Sequence, residues 1–113
     1  MLAFLHGTIL YKSTTFVILE NSGVGYQIFL APHQMEQAEL GKPAQFYTFE
    51  YVREERRELY GFATPEDLEF FFMLIDVQGV GPRLAQKVIG HAPIDDIKAA
   101  IISYFDVRRI TSH

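Results

Sequence analysis

The spacing of hydrophobic residues along this chain changes at Thr64-Pro65. Before it, short apolar runs alternate with polar residues and are separated by turn residues, which is typical of β-strands. After it, apolar residues recur every three or four positions, as on one face of a helix. Thr can cap a helix, Pro suits its first position, and Glu66 and Asp67 favour its positive end. The sequence therefore predicts a β part over residues 1–62 and a helical part over residues 63–113.

The β part is predicted to contain five strands and one short helix. Val24, Tyr26 and Ile28 share a face, as the two-residue period of a strand requires. A turn at Asn21-Ser22-Gly23 separates the second and third strands, and Pro32–Ala38 is predicted to be helical. The predicted strands are Leu2–Tyr11, Thr15–Glu20, Val24–Leu30, Ala44–Val52 and Leu59–Phe62. This arrangement suits a small closed barrel, of which the OB-fold is the familiar nucleic-acid-binding form.

The helical part is predicted to contain three helices, each with apolar residues at the spacing of one buried face. In the first helix these residues are Leu68, Phe71, Phe72 and Ile75. In the second, which follows Pro82 and ends at Gly90, they are Leu84, Ala85, Val88 and Ile89. In the third, which starts near Pro93, they are Ile94, Ile97 and Ile101. The small side chain of Ala85 is expected to let the first two helices approach closely.

The connection between the first two helices contains Gly79-Val80-Gly81 and predicts a phosphate site. Its glycines permit positive φ and place no Cβ between the backbone and a ligand, while Val80 can point inward. Outward amides and the dipole of the next helix favour an anion. Arg83 and Lys87, one helical turn apart, add positive charge on the same side. A helix-hairpin-helix that binds nucleic-acid phosphates is the resulting interpretation.

The alternative is that the tripeptide forms only a tight turn between helices. The same three residues occur at Gly23-Val24-Gly25, between two strands and with no helix signal after them. That second copy is assigned to a β-hairpin without a phosphate role. The flanking helices and basic residues distinguish the copy at Gly79-Val80-Gly81.

Composition narrows the function classes further. The net charge of −4 argues mildly against nucleic acid, but residues 78–92 contain basic residues and no acidic one. There is no cysteine, and the four histidines are far apart in sequence, so no metal site or other cofactor is predicted. Because long apolar runs and a signal peptide are missing from the sequence, we expect a soluble, cytoplasmic protein without a membrane span.

The residues of the predicted hairpin around Gly79-Val80-Gly81, together with Tyr51–Glu55 and Leu59–Phe62, resemble the RuvA family of Holliday-junction-binding proteins. The resemblance implies an OB-fold domain over residues 1–62 and a helix-hairpin-helix domain over residues 63–113. It implies a homotetramer that holds a four-way junction open in recombination and repair. It also implies RuvB as the ATP-driven motor and RuvC as the resolving nuclease, with no catalysis by the chain itself.

The resemblance also assigns Glu54 and Glu55 to an acidic pin, a hairpin tip whose charge repels phosphates at the junction centre. Arg56 and Arg57 follow directly, and whether they cancel these acids stays open from the sequence. The family continues into a second hairpin and a mobile domain that engages RuvB. We therefore expect this chain to be a fragment or a reduced relative with the first hairpin only and without the RuvB-docking domain.

Two other function classes remain open from the sequence. Glu54 and Glu55 would be the paired carboxylates of a nuclease, although adjacent strand residues point to opposite faces unless a turn intervenes. The aromatic residues Tyr47, Phe49 and Tyr51 would serve an assembly interface if exposed, or stack on unpaired bases. Packing inside the protein is the third possibility for them.

Overall fold

The computed structural model describes residues 1–89. The predicted helix end at Gly90 and the predicted third helix near Pro93 lie outside the described residues. The strands are β1 (Phe4–Lys12), β2 (Phe16–Asn21), β3 (Val24–Phe29), β4 (Pro43–Arg53) and β5 (Arg56–Phe62). The helices are α1 (Pro32–Gln37), α2 (Pro65–Ile75) and α3 (Pro82–Ile89).

The five strands form a closed barrel in the order β1-β2-β3-β5-β4. Strand β1 pairs antiparallel with both β2 and β4, and β4 pairs antiparallel with β5. A short parallel contact between β3 and β5, at Ile28 opposite Leu59 and Phe29 opposite Tyr60, completes the barrel. Helix α1 lies between β3 and β4 in the chain, as predicted. The structure therefore confirms the predicted β-barrel, which is consistent with an OB-fold, followed by short helices.

The β4–β5 hairpin is longer than the sequence predicted. The prediction ended one strand at Val52 and began the next at Leu59, but the ladder extends to Arg53 opposite Arg56. Charged residues interrupt the hydrophobic alternation on which the prediction rested, yet they fit a strand end that projects into solvent. Only Glu54 and Glu55 remain in the turn.

The β2–β3 hairpin forms as predicted. In the second copy of the tripeptide, Gly23 lies in the turn, and Val24 and Gly25 begin β3. Ser22 and Gly23 adopt φ angles of 53° and 84°, which suit a two-residue turn between twisted strands. The amide of Gly23 donates to Oε1 of Glu20 over 2.7 Å. This copy of the tripeptide has a local structural explanation.

Two apolar clusters stabilise the described residues, because burying apolar surface is the main favourable contribution to folding. One fills the barrel and includes Val17, Leu19 and Ile28, all fully buried. The other lies between the barrel and the helices, and its buried members are Phe29, Tyr60, Phe62, Phe70, Phe71, Leu74, Ala85 and Ile89. The second cluster joins side chains from both sides of Ala63. A domain boundary at that residue stays a prediction.

Helix α2 begins as predicted, but the predicted buried stripe is wrong in part. The hydroxyl of Thr64 accepts a hydrogen bond from the amide of Asp67 over 3.1 Å, which caps the helix. The buried residues are Phe70, Phe71 and Leu74, whereas Phe72 is 37% exposed. The face of α2 that packs against the strands and α3 is not the face with the best apolar spacing. It is rotated from that face by about one residue.

Helix α3 also buries a face that differs from the predicted one. Ala85 and Ile89 are buried as predicted, but Leu84 is 48% exposed. Gln86 is buried instead, and its side-chain amide donates to the carbonyl oxygen of Phe29 over 2.8 Å. A polar residue is tolerated there because this hydrogen bond gives the buried side-chain amide of Gln86 a partner.

Candidate nucleic-acid interface

Residues 76–81 connect α2 to α3 and form the predicted phosphate site. The amide of Val77 donates to Leu74 and that of Val80 donates to Val77, over 3.0 and 3.1 Å. Within residues 1–89, no protein acceptor is bound by the amides of Gly79 and Gly81, and both residues are exposed. Two exposed donors beside the first turn of a helix suit an anion.

The two glycines of this connection differ in conformation. Gly79 has a φ of 89°, which an L side chain rarely adopts, whereas the φ of Gly81 lies outside the positive region. Gly79 therefore uses the positive φ that glycine permits, and Gly81 does not. A Cβ at Gly81 would meet no atom within 4 Å, so open space lies in front of this backbone. Val80 points inward as predicted and packs against the second apolar cluster.

Arg83 extends from α3 to the barrel. Its guanidinium lies 3.7 Å from the carboxylate of Glu58 on β5, and 4.5 Å above the ring centre of Phe29 on β3. A planar guanidinium can make both contacts at once. The side chain of Arg83 is still 58% exposed. It therefore links α3 to the barrel and retains a surface that can contact a phosphate.

Tyr60 lies buried beneath this ion pair. The pKa of Tyr60 is raised to about 12, chiefly by burial and next by the negative charge of Glu58, while the positive charge of Arg83 opposes the shift. The phenol therefore stays neutral under ordinary conditions. Its ring packs in the second apolar cluster, next to the Arg83–Glu58 pair.

Lys87 is exposed on α3, one turn after Arg83. Both side chains border a groove between α3 and the barrel, together with Thr14 and Thr15 from the β1–β2 connection. The structure thus places the two basic residues on the same side of α3, as predicted. Unlike Arg83, Lys87 makes no ion pair within residues 1–89.

Glu54 and Glu55 form the two-residue turn of the β4–β5 hairpin, and both are exposed. Glu54 has a φ of 54°, an uncommon conformation for a residue with a side chain. Because a turn intervenes, the expectation that they point to opposite faces of a strand does not apply. In the part of the chain that the structure describes, however, no group of three or more metal-ligating side chains is present.

The arginines after the turn do not offset these acids through ion pairs. Arg57 lies 3.9 Å from Glu50, on the other face of the hairpin. Among residues 1–89, neither Glu54 nor Glu55 forms an ion pair. Strand alternation directs the Arg57 side chain towards Glu50, so it forms no ion pair with the turn.

The sequence did not indicate Arg53 and Arg56 as phosphate contacts, although the structure places both beside the predicted phosphate site. They lie directly opposite each other across the hairpin, on the same face as Tyr51 and Glu58. This face borders the connection from Gly79 to Arg83. A sequence signal existed: once the turn is assigned to residues 54–55, the residues on either side of it must pair.

The aromatic residues of β4 pack mainly within the protein. Phe49 contacts Phe71 and Phe72 of α2, with ring centres 5.4 and 5.1 Å apart. Tyr51 packs beside Phe49 against the second apolar cluster. Tyr47 makes an edge contact with Phe4 on β1, with ring centres 5.2 Å apart. Of the three possibilities, the structure favours packing for Phe49 and Tyr51.

The barrel part of the chain matches the sequence pattern of a known protein family. The family model described as the RuvA N terminal domain matches residues 1–61, which is more than half of the chain and includes nearly all of the barrel. The chain belongs to the RuvA family. The RuvA match contains the turn at Glu54 and Glu55 and ends before α2 begins.

Curated RuvA relatives extend the similarity through the helices. A protein from Acetivibrio thermocellus is 39% identical over 112 residues, which cover 98% of this chain and 55% of the relative. One from Ruminiclostridium cellulolyticum is 37% identical, with 98% and 56% covered, and one from Chloroherpeton thalassium is 36% identical, with 91% and 52% covered. Each is named Holliday junction branch migration complex subunit RuvA. The chain spans about half the length of these relatives.

No helix within residues 1–89 is long and apolar enough to cross a membrane.

Proposed function

We propose that this chain binds four-way (Holliday) junction DNA through its backbone phosphates and performs no catalysis itself. The observation that carries the proposal is the pair of exposed amides at Gly79 and Gly81, directly before a helix that presents Arg83 and Lys87. Amide donors and cations at a helix start suit a phosphate without reading the base sequence. Membership of the RuvA family supports a junction as the substrate.

Glu54 and Glu55 act in this proposal as an acidic pin. Their exposed turn lies at the end of a hairpin that projects from the barrel, and no ion pair within residues 1–89 neutralises it. Negative charge at such a tip repels phosphates that approach it, while the helical connection attracts them. The opposed charges would favour DNA whose strands separate around the tip over continuous duplex.

The proposed partners follow from the family. In this scheme a homotetramer of the chain holds the junction, RuvB supplies ATP-driven branch migration, and RuvC resolves the junction in recombination and repair. A single predicted helix-hairpin-helix makes few phosphate contacts, so binding several arms of the junction at once would supply avidity. The proposed location is the cytoplasm, where bacterial DNA lies.

The test is a titration of a fluorescent four-way junction and a matched linear duplex with the 113-residue chain at several salt concentrations. We expect tighter binding to the junction, affinity that falls as salt rises, and a tetramer mass in native mass spectrometry. Equal affinity for junction and duplex at matched salt would contradict junction binding.

Two charge reversals test the contact surface. Arg83→Glu and Lys87→Glu should each weaken binding to the junction. For a given variant the factor should be the same for junctions of unrelated sequence, because phosphates carry no sequence information. Lys87→Glu is the cleaner variant, since Lys87 makes no ion pair within the described residues. Unchanged binding by Lys87→Glu would remove this face of α3 from the interface.

A further inference from the structure

Two arginines face each other next to the proposed phosphate site, on the face of the β4–β5 hairpin that is turned towards the helices. Arg53 and Arg56 form the last pair of the ladder before the turn. Like charges directly opposite each other on one face of a sheet are unfavourable. Within residues 1–89 neither arginine has an ion-pair partner. An anion held between them would relieve this repulsion.

The surroundings of the pair form a groove with two walls. The hairpin supplies one wall through Tyr51, Arg53 and Arg56, and the other wall is the backbone from Gly79 through Pro82. Gly79 lies in the hollow beside Arg53, and Arg56 lies in the adjoining hollow with Gly81 and Arg83. Arg83 lies at one end, with its charge shared with Glu58. Asp76 lies along the helical wall. The groove thus combines three arginines and two exposed amides with two carboxylates, one of them already paired.

We propose that Arg53 and Arg56 together clamp a DNA phosphate in this groove, opposite the amides of Gly79 and Gly81. The inference rests on the proposed function and adds the barrel as a second source of phosphate contacts. A strand held between the two walls passes beside the Glu54–Glu55 turn, because the clamp and the turn are adjacent in the same hairpin. The hairpin therefore attracts a phosphate at the ladder pair next to its turn and repels phosphates at the turn itself.

Arg57 provides a matched control. It is one residue from Arg56 in the same exposed hairpin, but its side chain lies on the opposite face with Glu50. Arg53→Gln, Arg56→Gln and Arg57→Gln remove the same charge from the chain. Long-range electrostatics would weaken DNA binding nearly equally in all three, whereas a direct contact affects only the first two.

The experiment measures the affinity of the 113-residue chain and these variants for a fluorescent four-way junction and a linear duplex as salt is varied. We expect Arg53→Gln and Arg56→Gln each to weaken junction binding about tenfold and to lower the slope of log affinity against log salt by about one. Arg57→Gln should change affinity less than about threefold. The free Arg56→Gln protein should also melt at a higher temperature, because the repulsion is gone.

A purely structural role for Arg56 would lower both melting temperature and affinity, so the opposite signs are diagnostic. If all three variants bind like the unmodified chain, or lose affinity equally, the clamp is wrong. If the unmodified chain binds junction and duplex alike, the proposed junction function fails, and the clamp is then judged by the same variants on duplex. If the unmodified chain binds neither DNA, both proposals are overturned.

Discussion

Arg83 of α3 and Glu58 of β5 form an ion pair of 3.7 Å that joins the helical and barrel parts of the described chain. The guanidinium also lies over the ring of Phe29, and Gln86, one turn further along α3, donates to the carbonyl oxygen of Phe29. A residue predicted only as a phosphate contact therefore also fixes the position of α3. The phosphate site depends on this position, because the amides of Gly79 and Gly81 precede the same helix.

The first prediction separates the structural role of Arg83 from charge alone. Arg83→Gln should lower the free energy of unfolding by about 1 kcal/mol, because the variant loses a partly exposed ion pair and the contact with Phe29. Lys87→Gln removes the same charge from a residue that makes no ion pair within residues 1–89. It should change the free energy of unfolding by less than about 0.5 kcal/mol. Urea denaturation of both variants measures the difference. Equal destabilisation would contradict the structural role.

The second prediction concerns alkaline pH and Tyr60. The pKa of Tyr60 is raised to about 12 in the folded chain, above the usual value of 10.0, so folding favours the neutral phenol. This contribution is complete below pH 10 and declines as pH rises towards 12, because the unfolded chain ionises first. Over that window the unmodified protein should lose up to about 3 kcal/mol relative to Tyr60→Phe. Melting temperatures are measured for both proteins between pH 9 and 12. If they fall equally with pH in the two proteins, a buried neutral phenol is refuted.

The third prediction uses the two glycines of the α2–α3 connection. Gly79→Ala should destabilise the chain by about 1 kcal/mol or more, because alanine is strained at a φ of 89°. Gly81→Ala should leave stability nearly unchanged, since its Cβ meets no protein atom. It should nevertheless weaken binding to a four-way junction, because the methyl group occupies the space where a phosphate would approach. Thermal melting and fluorescence anisotropy on each variant check both effects, and normal DNA binding by Gly81→Ala would argue against close backbone contact.

The fourth prediction concerns strain at the hairpin tip. Glu54→Gly should stabilise the chain by about 1 kcal/mol, because glycine adopts a φ of 54° without steric cost. Glu55→Gly removes the same charge where φ is not positive and should be neutral or destabilising. The comparison cancels the electrostatic effect of losing one acid. Similar stability changes in the two variants, measured by chemical denaturation, would show that the φ of Glu54 carries little strain.

Elements with a regular hydrophobic period were predicted well. The strands β2 and β3 and the cap at Thr64 were predicted from local features, and the structure confirms them. Faces defined by packing were predicted less well. Phe72 and Leu84 have the right spacing for burial, yet both are largely exposed because neighbouring elements cover a different face.

The candidate site shows the same division. Glycine and proline around residues 79–82 indicate a turn before a helix from the sequence alone, since their backbone preferences are local. The role of Arg53 and Arg56 depends on a ladder register that a charged, non-alternating segment does not reveal. Their proximity to Gly79 further requires that α2 and α3 pack against the barrel.

Local patterns in the sequence suffice to predict that a five-stranded barrel precedes helices and that a glycine-rich connection precedes Arg83, because period and backbone preference act over a few residues. Tertiary packing determines that Arg83 pairs with Glu58 above Tyr60, and that the turn end of the β4–β5 hairpin borders the proposed phosphate site. These relationships join residues far apart in the chain. They arise when the second apolar cluster packs the helices against the barrel, and no local pattern specifies which side chains then meet.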